Sequence, residues 1–140
     1  MRASVAKLTR RWAGAFDRKL KQLAFVKEDV WPDGQVITFL KSPFPMYAGR
    51  YPHVSHREIA SALRDPKSTE TVSLKSIRSS QGEVTDVGVK KYQNGPDKLL
   101  PILIALSDGT YAIQDGHHRL TALWLQGKAS TSATVVRNYG

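Results

Sequence analysis

Asp115-Gly-His-His-Arg119 gathers a carboxylate, a glycine, two imidazoles and a guanidinium into one short stretch. The returning strand of a hairpin, Thr110–Gln114, precedes it and a helix-like pattern follows, so it reads as the turn where a strand feeds a helix. The first N–H groups of a helix lack internal partners and carry the positive end of its dipole, which makes such a turn a ready anion site. Gly116 allows a sharp turn or close approach to a ligand. Arg119 offers a fork that matches phosphate oxygens. His117 and His118 are candidate phosphate donors or proton carriers near neutral pH, and therefore candidate catalytic groups. Asp115 is expected either to cap the helix or to hold a hydrated Mg²⁺. An ordinary Asp cap followed by solvated residues explains Asp115 equally well, but it explains two histidines and an arginine less readily. Adjacent histidines project about 100° apart on a helix, so they do not form a pair for one metal. His53 and His56 lack a nearby third ligand and read as surface or capping residues.

The elements that must position this turn fall into two segments. Residues 69–140 have the clearer grammar. Glu70–Leu74 reads as a strand, Lys75–Ile77 as a helical turn and Val84–Gln93 as a helix. Leu99–Leu106 is an apolar run of strand length, expected to be central and buried on both faces. Ser107-Asp-Gly109 forms a hairpin turn returning through Thr110–Gln114. After the Asp115 turn comes a helix with Leu120, Leu123 and Trp124 on one face, ended by Gly127, and then a strand over Ser132–Val136. Residues 1–68 are basic and less regular. Val5, Leu8, Trp12, Phe16, Leu20 and Leu23 recur at helical spacing, while Lys7, Arg11, Arg18 and Lys21, with Arg10 added, make the helix basic. It suits nucleic acid or a membrane surface, or a protein partner or second copy; packing on the core explains most such helices. Trp31-Pro-Asp-Gly34 reads as a turn and Gln35–Leu40 as a strand. The proline-rich Ser42–Pro52 loop excludes regular helix. Ser55 and Glu58 have capping-box spacing for a helix over His56–Arg64, which stops before Pro66.

The whole chain of 140 residues suffices for a core, and its 41% apolar content excludes a disordered tract. Lys and Arg number 21 against 12 Asp and Glu, a net charge of +9, which favours a polyanionic partner. The absence of cysteine excludes disulfides, thiolate metal sites and thiol catalysis, and suits a reducing compartment. No apolar run has membrane-span length and no apolar region follows the basic start, so a cytoplasmic location is expected.

The stretch Ile113-Gln-Asp-Gly-His-His-Arg-Leu-Thr-Ala122, preceded by Pro101-Ile-Leu-Ile104 and Asp108-Gly109, resembles the ParB/sulfiredoxin superfamily, in particular the ParB-like nuclease group with a DGHHR signature. The resemblance covers about residues 70–137 and includes element order. It implies an α/β (α+β) fold, a small mixed sheet with helices, here preceded by a basic helical extension. Ser80-Gln-Gly-Glu-Val84 resembles the segment that faces the turn across a nucleotide or phosphate pocket in that family. The resemblance implies Gln81 as a ligand contact, Glu83 as a general base or metal-positioning group, and Gly116, His117, His118 and Arg119 as phosphate binders. Without it, Glu83 is a surface carboxylate at a helix start. Sulfiredoxins carry a cysteine where His117 stands, so their chemistry is excluded. About one strand follows the motif, so the helix-turn-helix domain of partitioning proteins is not expected.

Three activities follow from the resemblance. One is a Mg²⁺-dependent nuclease or nucleoside triphosphatase, with ATP or CTP as ligand. Another is a non-turnover DNA-binding or accessory protein of phage or plasmid type, in which Lys7, Arg10, Arg11, Arg18 and Lys21 contact nucleic acid. The last is a small-molecule phosphotransferase of the free-serine-kinase type. The fold alone does not choose among them.

Overall fold

A computed structural model describes residues 14–93 and 99–137 of the chain. Helix α1 runs through residues 14–21. It buries Leu20 and packs Phe16 beside it, while Arg18 and Lys21 stay exposed. The expected amphipathic helix is thus present over its second half; Lys7, Arg10 and Arg11 lie outside the described residues.

Strands β1 (Phe25–Val30) and β2 (Val36–Lys41) form a hairpin. Its turn uses Gly34 at φ 84°, and Asp33 Oδ1 accepts the Gln35 N–H at 2.9 Å. Strand β1 is not visible in the sequence pattern because all six residues are exposed and none marks a core face. Helix α2 (His56–Arg64) has both halves of its capping box and ends at Asp65, as the Ser-x-x-Glu spacing and Pro66 predict.

Strand β3 (Thr69–Ser73) is followed by a 3₁₀ turn over Leu74–Ser76, then β4 (Ile77–Arg78) and β5 (Glu83–Thr85). Helix α3 (Asp86–Lys90) starts later than the predicted Val84–Gln93 helix. Val84 is committed to a ladder instead, opposite Leu40 of β2, and Thr85 caps α3 by accepting the Gly88 N–H at 3.1 Å. Tertiary pairing therefore overrides the local helical spacing, and Val84 faces inward from a strand.

Strands β6 (Ile102–Ala105) and β7 (Tyr111–Asp115) make the second hairpin, and α4 (His117–Leu125) and β8 (Ser130–Val136) complete the chain's elements. The result is an α+β fold with two sheets: β1-β2-β5, all antiparallel, and a mixed sheet in the order β3-β8-β6-β7-β4. In the latter, β6–β8 and β4–β7 are parallel and the other pairs antiparallel. Strand β6 is central, with Leu103 and Ile104 fully buried, as its apolar run predicts, but it is shorter than the expected Leu99–Leu106 strand: Leu99 and Leu100 lie outside it and are exposed. Strand β5, from the second segment read in the sequence, pairs with β2 of the first.

Helix α4 contributes to both hydrophobic clusters. Leu120 joins Phe44, Leu74, Ile77, Leu103 and Ile113 over the mixed sheet. Ala122 and Leu125 join Leu20, Leu40, Val84 and Val89 over the smaller one. Gly127, at φ 77°, ends α4 as predicted. Lys128 N–H reaches Leu123 O at 3.1 Å and Gly127 N–H reaches Trp124 O at 3.0 Å, the paired bonds of a Schellman cap. A helix packed on two sides is a rigid mount for whatever its first turn presents. Among the described residues no helix is long and apolar enough to cross a membrane.

Candidate functional site

Strand β7 delivers the chain to α4 through Gly116, which occupies the N-cap position at φ 94°, ψ 24°. This corrects the expectation that Asp115 caps the helix: Asp115 is the exposed last residue of β7, and no side chain caps α4. The uncapped first turn borders a recess of about 210 Å³. Asp115, Gly116, His117, His118 and Arg119 line it from one side, and Ser80 and Gln81 from the β4–β5 connection, with Tyr92 closing the rim. The structure thus brings together Gln81 and the whole Asp115–Arg119 turn. It does not bring Glu83 into this recess; Glu83 is exposed on β5 and borders an adjoining depression with Gln81 and His118.

Backbone and hydroxyl contacts fix the facing segment. Ser80 Oγ donates to Ile113 O at 2.7 Å. Tyr51 Oη lies 3.1 Å from Ile113 O and 2.9 Å from Gln114 Oε1. The proline-rich loop and the β4–β5 connection exchange Ser79 N–H to Pro45 O at 2.6 Å and Tyr47 N–H to Ser79 O at 3.2 Å. Gln81 folds back, its Nε2 donating to Glu83 O at 3.2 Å.

The two histidines point different ways, as the helical repeat requires. His117 is buried, with Nε2 2.7 Å from Ser42 Oγ and 3.4 Å from Ser79 Oγ. Its Nδ1 is buried without a hydrogen-bond partner among the described residues. Burial, reinforced by the neighbouring His118, pushes its pKa down to about 4. His118 accepts the Thr85 backbone N–H at Nε2, 3.1 Å away, so its neutral ring carries the proton on Nδ1. Burial lowers its pKa too. Both rings are neutral near pH 7, and neither is a cationic phosphate ligand there. A serine hydroxyl against an imidazole has nucleophile–base geometry. Ser42 is only 8% exposed and does not line the recess, so this bond positions His117 rather than attacking a ligand.

Gly88 of α3 gives His118 its place. A Cβ added there would stand 2.7 Å from His118 Nε2 and 2.8 Å from Cγ. Gly88→Ala is expected to displace the ring, break its bond to Thr85 and lower stability by about 2–4 kcal/mol, combining overpacking with a lost buried hydrogen bond. Urea denaturation measures this, and a midpoint like that of the parent would contradict the packing described.

Arg119 stacks on Tyr92, with Cζ 5.2 Å from the ring centroid, and its Nη1 donates to Leu99 O. The guanidinium is thereby held at the boundary between the small recess and a neighbouring one of about 470 Å³ that shares Tyr92 and Arg119. No protein-family model and no curated protein matches the chain. The chemistry of the site is therefore read from its own residues.

Among the described residues no group of three or more His, Asp or Glu side chains converges as a metal cage. Asp115 is the carboxylate lining the recess. Mg²⁺ is commonly held by one or two carboxylates plus ligand phosphate oxygens, and Asp115 fits that partial role. The sequence marks Tyr51 as an aromatic residue of the proline-rich loop and Tyr92 as partly inward, but it gives neither a place in the site, and it gives Ser42 none. Serines and tyrosines in loops carry no spacing signal, and Ser42 meets His117 across 75 residues. Arg18 is exposed on α1, its Nε donating to Gly14 O at 3.2 Å, and is not among the residues that line the recess.

Proposed function

We propose that the recess at the start of α4 binds a phosphate group of a nucleotide or nucleic acid, in a domain related to the ParB/sulfiredoxin superfamily. The observation that carries this reading is the uncapped first turn of α4 opening onto a recess that also holds Arg119. Helix N–H groups and a guanidinium are the two donor types that suit phosphate oxygens. Neutral histidines add donors without fixing the charge. A recess of about 210 Å³ takes a phosphate but is small for a whole nucleotide, since sites for larger ligands are about 300–1,000 Å³. The neighbouring recess supplies the remaining room, with Tyr92, Leu100, Pro101 and Leu123 on its walls. The net charge of +9 draws polyanions toward the surface.

Thermal-shift measurements with inorganic phosphate, pyrophosphate, ATP and CTP test the reading. Bound ligand raises the melting temperature by mass action. Arg119→Ala is expected to weaken binding about 10–100-fold, the loss of one charged hydrogen-bonding group. Arg119→Lys keeps the charge but loses the fork, and should bind between the two. No shift with any phosphate compound, or shifts indifferent to Arg119, would count against the site. Hydrolysis with Mg²⁺ is the second reading, favoured by Asp115 at the recess. Asp115→Asn should leave phosphate binding without Mg²⁺ intact and remove any Mg²⁺-dependent gain or turnover.

A further inference from the structure

The outer edge of β1 carries a surface that the phosphate site does not use. Among the described residues no strand lies beyond β1 in the sheet order β1-β2-β5, and every β1 side chain is exposed. Apolar residues crowd this edge and its turn: Phe25 is 63% exposed, Val30 70% and Trp31 48%. Between them stand Lys27, Glu28 and Asp29. Unpaired edges of this kind template further strand pairing unless something covers them.

We propose that β1 pairs antiparallel with β1 of a second copy of this chain, forming a two-fold dimer centred on Glu28. The phase of the ladder selects this register. Trp31 N–H donates to Gln35 O at 2.8 Å, and Asp29↔Ile37 and Lys27↔Phe39 follow in step. In an antiparallel ladder the hydrogen-bonding direction alternates along the strand. The backbone groups of Lys27, Asp29 and Trp31 therefore face β2, and those of Glu28 and Val30 face outward. Outward residues must pair with outward residues.

Three two-fold registers satisfy that rule near the middle of β1. Centring on Lys27 or on Asp29 sets two like charges directly opposite at the close-approach, non-hydrogen-bonded site. Centring on Glu28 opposes Lys27 to Asp29 of the second copy twice, at the close sites. It also brings Val26 toward Val30 twice. Its one unfavourable pair, Glu28 against itself, falls on the dyad at the wider hydrogen-bonded site. The strand's charges are thus complementary to its own reversed copy, which identifies the occupant. The β1–β2 register slips between Phe25 and Lys27, so the pairs nearest the dyad set the alignment. The existing Lys27–Asp29 contact, 3.9 Å between half-exposed side chains, is too weak to compete.

Sedimentation equilibrium of the full chain over a concentration series tests the proposal. The parent protein should pass from monomer to dimer. Lys27→Glu or Asp29→Lys should each weaken association roughly 10–30-fold, because two favourable cross-strand pairs become repulsive. The double reversal should restore it, and Glu28→Thr should strengthen it. Val30→Pro removes an N–H that β2 does not use, so it should give a monomer with unchanged circular dichroism. A parent protein monomeric throughout would overturn the proposal. So would a dimer whose affinity ignores both charge reversals and Val30→Pro.

Discussion

Gly116→Ala is expected to lower stability by roughly 2–5 kcal/mol, the sum of left-handed strain and overpacking, and to abolish phosphate binding. The backbone there has φ 94° and ψ 24°, a region where any Cβ is crowded by its own carbonyl. Space is lacking as well. A Cβ would lie 2.9 Å from Pro101 Cβ and 3.1 Å from Pro101 Cα. Pro101 is buried beside β6 and its carbonyl accepts the Thr134 N–H at 2.9 Å. Its backbone cannot retreat without disturbing the join between β6 and β8. The remaining route is to shift the start of α4, which moves the N–H groups that form the anion site. Gly109→Ala is the control, because it has φ 86° but nothing within 4 Å of an added Cβ. It should cost about 1–2 kcal/mol from strain alone. Equal urea midpoints for the two variants would refute the close approach to Pro101.

The contrast between those glycines also describes what the sequence reveals. Local chemistry was legible. The Ser107-Asp-Gly109 hairpin, the Ser55–Glu58 capping box, the Gly127 stop and the buried run of β6 each depend on residues within a few positions of one another. Gly116 was legible as a turn, but its clash with Pro101 was not, since it arises from packing between strands. Strand β1 was hidden because it buries nothing. Strand β5 was hidden because three residues of ladder, set by β2, look like the opening of a helix. The site shows the same division. The turn at residues 115–119 was visible as a motif, whereas the Ser42 bond that holds His117, and the Thr85 bond that occupies His118, exist only once distant segments meet. Those bonds fix the two rings in place, and the burial around them keeps them neutral, so the chemistry expected of the histidines changes from exchangeable protons to fixed neutral rings.

That change leads to an acid-stability prediction. His117 has an ordinary pKa of 6.5 and a folded value of about 4. Between these values the unfolded chain binds a proton that the folded chain refuses, so stability rises with pH across this window. The full contribution is present above pH 6.5 and is lost as pH falls toward 4. The loss amounts to about 3 kcal/mol when complete. His118, also lowered by burial, acts with the same sign. Asp108 is lowered below 3.8 by its hydrogen bonds to Thr110, so its effect falls at more acid pH and does not mimic the histidines. Urea denaturation at several pH values reads the slope, and NMR titration of the imidazole protons assigns it. His117 is expected to stay neutral down to about pH 5, because its folded value is near 4. A resonance titrating near 6.5 would mean that the ring is solvated and that Ser42 does not hold it. The same ring borders the phosphate recess. A bound phosphate dianion favours imidazolium, so ligand should raise the apparent pKa of His117 or His118. By linkage, phosphate binding should then tighten as pH falls, until acid unfolding intervenes. Phosphate affinity that is flat with pH would place the ligand's charge away from both rings and leave Arg119 and the helix N–H groups as its binding partners.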